Sequence, residues 1–334
     1  MSRYRMEYLF DRRLRGKYSL TQHMFTGDLE RAVLEALVYS DIFEYPLRLN
    51  ELHRYLPIRA DIDELSVALD ALQQQVGKKD DFYYLAGRAE IVDIRRQREA
   101  RSKKLMPRAL KYGGLLGSLP FIRMVALTGS LAVMNISKNA DFDYMLVTVP
   151  DRLWTARAFA LLFNRITRLF GHELCPNLIV SENALEWPLH DLYSARELCQ
   201  MIPVTGMDVY QRVMEANHWA GGILPNAWHT SEVSKTSEVS VRRIFELPLR
   251  GRLGDRFEAW ERNRKIARFS KQADFGEETV FTAEVCQGNF HHHRKWTREV
   301  FEEKLSVIAR RAKPDEAIPT TISGIASSPI GSSQ

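Results

Sequence analysis

The stretch ALTGSLAVMNISKNADFDYML, residues 126–146, decides the fold class. It begins with the end of an apolar run, continues with a predicted turn at Thr128-Gly129-Ser130, and ends in a second apolar run that contains Asp141 and Asp143. Side chains two positions apart on a β-strand face the same way, so these two carboxylates project together and repel each other. Such a pair of anions indicates a cation bound between them.

The segments around this stretch alternate between strand and helix patterns. Short apolar, β-rich runs predict strands, and Asp151 is predicted to cap a long helix that closes at Gly171. A mixed sheet with a packed helix is the simplest arrangement of these elements. We therefore predict an α/β (α+β) core over residues 121–190, with strands at 121–129, 141–149 and 177–185 and the helix at 152–171.

Upstream of the core, residues 1–88 predict a winged helix-turn-helix domain. Three short helical patterns, the third capped by Asp61, are followed by a hairpin with a polar turn. The third helix is acidic and lacks lysine and arginine, which makes it a poor surface for DNA phosphates. We therefore favour protein or intramolecular packing, and Lys78 and Lys79 in the wing keep DNA binding as the alternative. Residues 89–120 predict a linking basic helix.

Downstream of the core, the apolar spacing is helical with short breaks, so residues 191–313 are predicted to form a helical C-terminal region. It is interrupted by the polar segment 230–240, for which a mobile loop is predicted. Residues 314–334 are rich in Pro, Ser and Gly, which predicts a disordered tail.

The overall composition is that of an ordinary soluble globular protein. The 334 residues are 45% hydrophobic and 27% charged, with a net charge of +5. No apolar run has the length of a membrane-spanning helix, and the start of the chain is too charged for a secretion signal. Three separated cysteines fit neither a disulfide framework nor a paired-cysteine zinc site. A cytoplasmic location is expected.

The chemistry predicted for the opening stretch is metal and phosphate binding. Carboxylate oxygens suit Mg²⁺ or Mn²⁺, and Mg²⁺ usually leaves other positions to water and substrate phosphates. The turn at Gly129 and Ser130 offers backbone N–H groups and a hydroxyl at the start of a short helix. Together these residues predict a site for a metal ion and a triphosphate.

This pattern resembles the signature of the polymerase β-like nucleotidyltransferase superfamily. The resemblance covers residues 121–182, under a fifth of the chain, and its motifs are Gly129-Ser130 followed by Asp141-Phe142-Asp143. It implies that the glycine and serine hold the β- and γ-phosphates of an NTP. It also implies that the two aspartates bind two magnesium ions, which activate an acceptor hydroxyl and stabilise the leaving pyrophosphate.

The resemblance further implies a third carboxylate from a later strand, which often acts as the base. Glu182 is our choice because it ends the third predicted strand, while Glu173 and Glu186 are the other acids in that segment. Asn177 lies where an acid is expected. If Asn177 occupies that position, the protein binds a nucleotide without transferring it. The alternative to a transferase is therefore a nucleotide-sensing or DNA- or partner-binding regulator with a degenerate core.

Other polar residues are weaker candidates. His291–His293 would bind a metal or phosphate only if consecutive helical side chains converged, so an exposed helix start is favoured. Arg152 and Arg157 follow the metal strand, but solvated helical arginines are the simpler interpretation. Acids interleave the basic run at residues 95–104, which favours a solvated face over a nucleic-acid track. The predicted partners are an NTP and an unidentified acceptor, with nucleic acid not favoured and no membrane.

Overall fold

The computed structural model describes residues 27–138, 141–228, 246–272, 276, 278–288 and 293–311. The N-terminal part contains three helices and three short strands. Its elements are α1 (Asp28–Asp41), β1 (Leu47–Arg48), α2 (Leu49–Arg54), α3 (Ile62–Ala71), β2 (Val76–Lys79) and β3 (Phe82–Leu85). A long helix, α4 (Ile91–Gly117), connects this part to the rest of the chain.

The remainder of the described chain forms a second set of elements around one sheet. In chain order these are β4 (Ile122–Leu127), α5 (Gly129–Ala132), β5 (Phe142–Thr148), α6 (Leu153–Arg168), β6 (Leu174–Ser181), α7 (Leu192–Gln200), β7 (Ile202–Thr205), α8 (Met207–Ala216), α9 (Ala220–Ile223), a 3₁₀ turn (Leu247–Leu249), α10 (Arg252–Phe269), β8 (Thr279–Phe281), β9 (Val285–Gly288) and α11 (His293–Arg311).

The N-terminal elements have local sequence causes. Asp61 caps α3 as predicted: its carboxylate accepts from the Glu64 N–H at 2.8 Å, and Glu64 accepts from the Asp61 N–H at 2.9 Å. The hairpin β2–β3 turns at Asp80, whose φ of 57° suits a residue type that tolerates the left-handed region. Strand β1 pairs with β3, so the three strands form an antiparallel sheet in the order β1-β3-β2.

The central sheet has six strands in the order β7-β4-β5-β6-β9-β8. Strand β4 runs antiparallel to β5, β5 runs parallel to β6, and β6 runs antiparallel to β9. Helix α6 makes the crossover that a parallel β5–β6 pair requires. A separate hydrophobic cluster covers each face of this sheet, and the fold class is therefore mixed α/β, as predicted.

Three predictions about the elements were wrong. Residues 191–313 are helical only in part: their described residues form five α-helices, but β7, β8 and β9 also come from this region and complete the central sheet. These strands have three or four residues, too few for a recognisable alternation. Strand β6 begins at Leu174 rather than residue 177. Asp151 does not cap α6: Arg152 is the residue that precedes the helix, and Asp151 has a left-handed backbone with a φ of 59°. The segment 230–240 and the tail 314–334 lie outside the described residues.

The basic helix α4 is only in part the solvated face that the sequence suggests: Arg96, Lys103 and Lys104 are exposed, whereas Arg95 and Arg98 face the N-terminal part. The Arg95 side chain is buried, donates to Glu51 at 2.8 Å and lies 3.6 Å from the ring centroid of Tyr45. Arg98 pairs with Glu44 and donates to the carbonyl of Phe43. The N-terminal part is therefore attached to the core through cations that look solvent-facing in the sequence.

The sequence predicts no membrane-spanning helix, and the described ranges of the chain agree with that prediction. Within those ranges, no helix combines the length and apolar character needed to cross a bilayer.

A buried ion-pair cluster fixes the start of β4. The Glu246 side chain is fully buried and accepts from Arg123 at 2.8 and 2.9 Å, from Arg250 at 2.6 Å and from the Phe121 N–H at 2.9 Å. Burial alone would raise the pKa of Glu246, but the hydrogen bonds from Arg123 and Arg250 lower it to about 2. A carboxyl with a depressed folded-state pKa contributes stability above its ordinary pKa.

We expect Glu246→Gln to lower the free energy of unfolding at pH 7 by about 3 kcal/mol, because it removes the buried carboxylate that pairs with both Arg123 and Arg250. The difference from the wild type should shrink as the pH falls from 4.5 towards 2, where Glu246 itself becomes protonated. Guanidinium denaturation across this pH range measures it. Glu302→Gln, at an exposed helical position, is the control; equal stability losses in both variants would contradict the assignment.

Candidate metal centre

Asp141 and Asp143 lie at the beginning of β5, where the neighbouring strand β6 also begins. The register pairs Asp143 with Cys175, so the thiol of β6 lies beside the carboxylate of β5. One ligand atom from each of Asp141, Asp143 and Cys175 falls within 4.8 Å of the other two. The predicted aspartate pair is therefore joined by a thiol.

The turn predicted to hold phosphates lies directly against this group. Gly129 has a φ of 65°, and a Cβ added there would overlap the Asp143 carboxylate. The Thr128 N–H donates to the Asp143 carbonyl at 2.9 Å, which fixes the turn to β5. Only glycine satisfies both the backbone conformation and the close approach.

The Asp143 carboxylate and the Cys175 thiol both have a raised pKa, so each holds its proton more tightly than a free side chain does. Burial, then the charges of Asp141 and Glu197, raise the pKa of Asp143 well above its ordinary value, while a hydrogen bond from Cys175 opposes the shift. Burial and the two aspartates raise the pKa of the Cys175 thiol. Cys175 therefore stays protonated at neutral pH and donates to a carboxylate.

A third carboxylate reaches this site from helix α7. Glu197 is close enough for its charge to raise the pKa of Asp143, and burial raises the pKa of Glu197 itself to about 7. Glu197 lines a cavity of about 210 Å³ together with Gly129, Ser130 and the buried Arg196. The N-terminal part closes the cavity with Tyr39, Ser40, Phe43 and Tyr45.

Glu182 does not lie at this site, and its prediction as the third acid is corrected. Ser181 pairs with Thr148 at the far end of β5, and the Glu182 N–H donates to the Thr148 carbonyl at 3.0 Å. At 3.3 Å per residue, the strand separates Glu182 from Cys175 by about 20 Å. The Glu182 carboxylate instead accepts from Arg212 at 2.7 Å. The error arose because the acid at the end of β6 was chosen, whereas the parallel pairing of β5 and β6 places the start of β6 beside the aspartates.

The other acids of that segment also have different neighbours. Glu173 precedes β6, its carbonyl accepts from the Phe142 N–H at 2.9 Å, and its carboxylate lies 3.6 Å from Arg168. Glu186 lies 3.4 Å from His190. Asn177 lies within β6, two positions after Cys175. Cys175, and not Asn177, is thus the residue of β6 that lies beside Asp143.

The remaining candidates are structural or fall outside the described residues. Arg152 is buried and donates to Asp255 at 2.6 Å and to the Leu249 carbonyl at 3.0 Å. Arg157 stacks over Trp154 and Phe269. His293 begins α11 and lines the cavity beside Ser130, while residues 291 and 292 are not described.

Two members of the site were missed by the sequence analysis. Cys175 was missed because the third strand was predicted to start at residue 177, after this cysteine. Glu197 has no local signal, since it belongs to a helix whose packing against the turn is tertiary.

The donor set fits a magnesium ion held by two carboxylates. Asp141 and Asp143 offer the hard oxygen ligands that Mg²⁺ and Mn²⁺ prefer, and Mg²⁺ needs only one or two of them from the protein. A protonated thiol is a poor ligand for either ion, so Cys175 acts as a hydrogen-bond donor to the pair. The same set would not hold zinc unless Cys175 lost its proton.

Comparisons of the chain with models of protein families, with curated proteins and with solved structures find no match. These comparisons therefore assign no family and no activity. Function is inferred from the geometry and chemistry of this site.

We expect Gly129→Ala to destabilise the protein by about 2 kcal/mol, because alanine must adopt a left-handed backbone and displace the Asp143 carboxylate. Mn²⁺ binding should weaken in the same variant. Chemical denaturation and calorimetric titration with Mn²⁺ measure the two effects. Gly222→Ala is the control, since Gly222 lies in a helix with open space around its Cα. A Gly129→Ala protein as stable as this control would contradict the close contact.

Proposed function

We propose that this protein is a nucleotidyltransferase that moves a nucleoside monophosphate from an NTP to a hydroxyl or phosphate of an unidentified acceptor. The observation that carries the proposal is the contact between the Gly129 turn and the Asp143 carboxylate, beside Asp141. In this proposal Asp141 and Asp143 hold Mg²⁺, and Gly129 and Ser130 contact the triphosphate. The polymerase β-like resemblance supports the same roles.

The arrangement of strands supports a nucleotidyltransferase-like core. The glycine turn follows β4, the aspartates begin the antiparallel neighbour β5, and a helix leads to the parallel strand β6. The three N-terminal helices and their three-stranded antiparallel sheet support a winged helix. Its contacts support intramolecular packing as its role: the Tyr45 hydroxyl donates to the Val133 carbonyl at 2.8 Å, and the Asn135 amide donates to the Phe43 carbonyl at 3.0 Å.

The proposed reaction is an in-line displacement at the α-phosphorus of the NTP. The acceptor oxygen forms a bond to this phosphorus, the bond to the β-phosphate bridging oxygen breaks, and pyrophosphate leaves. We assign Glu197 to accept the acceptor's proton, because its carboxylate lines the cavity that Ser130 also lines. Magnesium, when bound, would supply positive charge to the phosphate oxygens. Asp141 and Asp143 would orient that charge.

A nucleotide sensor or regulator is the second candidate function. It is favoured by Cys175, which stands beside Asp143 and donates a hydrogen bond to the aspartate pair where the resemblance implies another acid. Such a centre would bind an NTP and leave it intact. Binding of an NTP without transfer separates this candidate from the transferase.

We expect the double substitution Asp141→Ala with Asp143→Ala to reduce nucleotidyl transfer at least about a hundredfold, since it removes both metal ligands. The measurement is label incorporation from α-phosphate-labelled NTPs in the presence of Mg²⁺ and a cell extract. Asp208→Ala, an exposed helical aspartate, is the control. Label incorporation that survives the double substitution would refute the mechanism, and NTP binding by the wild type without incorporation would favour the sensor.

Glu197→Gln should lower the turnover rate about a hundredfold while leaving NTP binding nearly unchanged, because it removes the proton acceptor. Glu182→Gln is the matched control, since Glu182 lies at the other end of β6 and should change the rate by less than about twofold. Steady-state kinetics with the acceptor identified by labelling measure both variants. A loss confined to Glu182→Gln would restore the original sequence prediction.

A further inference from the structure

Helix α6 is apolar on two sides, and only one of them contacts the core. Trp154, Ala156 and Ala160 are buried against the sheet. On the outward side, Leu162 and Ile166 are exposed, and they are followed by Leu169, which is 83% exposed, and Phe170, which is 70% exposed. A surface helix of a globular protein normally carries polar residues on this side. The outward side of α6 therefore has the character of a binding surface.

Basic side chains surround this exposed stripe. Arg165 and Arg168 interleave it on α6, and Lys104, Arg108 and Lys111 are exposed at helical spacing on α4. The two helices meet here, because Arg108 Nη1 lies 2.6 Å from His172 Nε2 and the Tyr112 and Phe163 rings are 6.2 Å apart. The apolar–basic surface is defined by Leu162, Ile166, Leu169, Phe170, Arg165, Arg168, Lys104, Arg108 and Lys111.

Negative charge is scarce at this surface. Neither α6 nor residues 100–117 contain an aspartate or glutamate. Glu173 is the acid next to the stripe, and it lies 3.6 Å from Arg168. On the described parts of α4 and α6, these five basic side chains have no acid of the same two segments beside them, so the partner that complements this surface is anionic.

We propose that the apolar–basic surface lies on an anionic lipid bilayer. Branched aliphatic side chains gain free energy by leaving water for the boundary between headgroups and acyl chains, while arginine and lysine at the same depth pair with lipid phosphates. A single-stranded nucleic acid would use the cations, but bases stack on aromatic rings, and Phe170 is the one aromatic residue beside Leu162, Ile166 and Leu169 in this surface. A bilayer accounts for both parts of the surface.

Attachment to the bilayer surface requires no membrane-spanning helix, and it departs from the expectation of no membrane partner. It is independent of the proposed transferase, since neither an NTP nor a metal ion takes part. The surface nevertheless lies near the metal centre. His172, which contacts Arg108, stacks on Phe142 between the two aspartates, with ring centroids 5.7 Å apart.

The test is sedimentation of the full chain with vesicles, without nucleotide or metal. We expect binding to phosphatidylcholine vesicles that contain about one third phosphatidylserine, and little binding to phosphatidylcholine alone. Leu169→Ser with Phe170→Ser should weaken the binding roughly tenfold or more, and so should Arg165→Ala with Arg168→Ala. Added salt should weaken it further.

Val67→Ser is the matched control, because Val67 is 70% exposed on α3 and lies outside the surface. All substituted positions are exposed, and circular dichroism would check that each variant folds. Absence of binding to the anionic vesicles, or equal binding by both double variants and the wild type, would overturn the proposal. Oligo(dT) binding that is lost in Arg165→Ala with Arg168→Ala, without vesicle binding by the wild type, would assign the surface to nucleic acid.

Discussion

The contact between the Gly129 backbone and the Asp143 carboxylate is the constraint on which the site depends. It brings together the end of β4 and the start of β5, and the Thr128 N–H to Asp143 carbonyl hydrogen bond of 2.9 Å holds the two together. Any residue with a Cβ at position 129 would push the carboxylate away. The phosphate-binding turn and the metal ligands of the proposed site are therefore parts of one rigid corner.

This corner is electrostatically unfavourable by itself. Burial and the charges of Asp141 and Glu197 raise the pKa of Asp143, so the folded chain keeps carboxylates together against their repulsion. The thiol of Cys175 offsets part of the cost by donating a hydrogen bond. A bound cation would offset much more of it, so the arrangement that costs the folded chain stability favours metal binding.

The local features of the site were predictable from the sequence, and its distant members were not. The positions of Gly129, Asp141 and Asp143 follow from short-range strand and turn patterns. The error at Glu182 came from choosing the end of the third strand, whereas a parallel pair places the start of β6 beside the start of β5 and its aspartates. Glu197 reaches the cavity only through the packing of α7, and no periodicity in the sequence reports that contact.

The same distinction explains why three strands were not predicted. Strands of three or four residues at 202–205, 279–281 and 285–288 carry too little pattern to be recognised, yet they extend the sheet on both sides of β4–β6. The N-terminal part is also hydrogen-bonded to the segment that follows the glycine turn. Tyr45 and Arg95 both donate to the carbonyl of Val133, directly after the glycine turn. Because these bonds position the segment that follows Ser130, the N-terminal part supports the corner formed by Gly129 and the two aspartates as much as the core does.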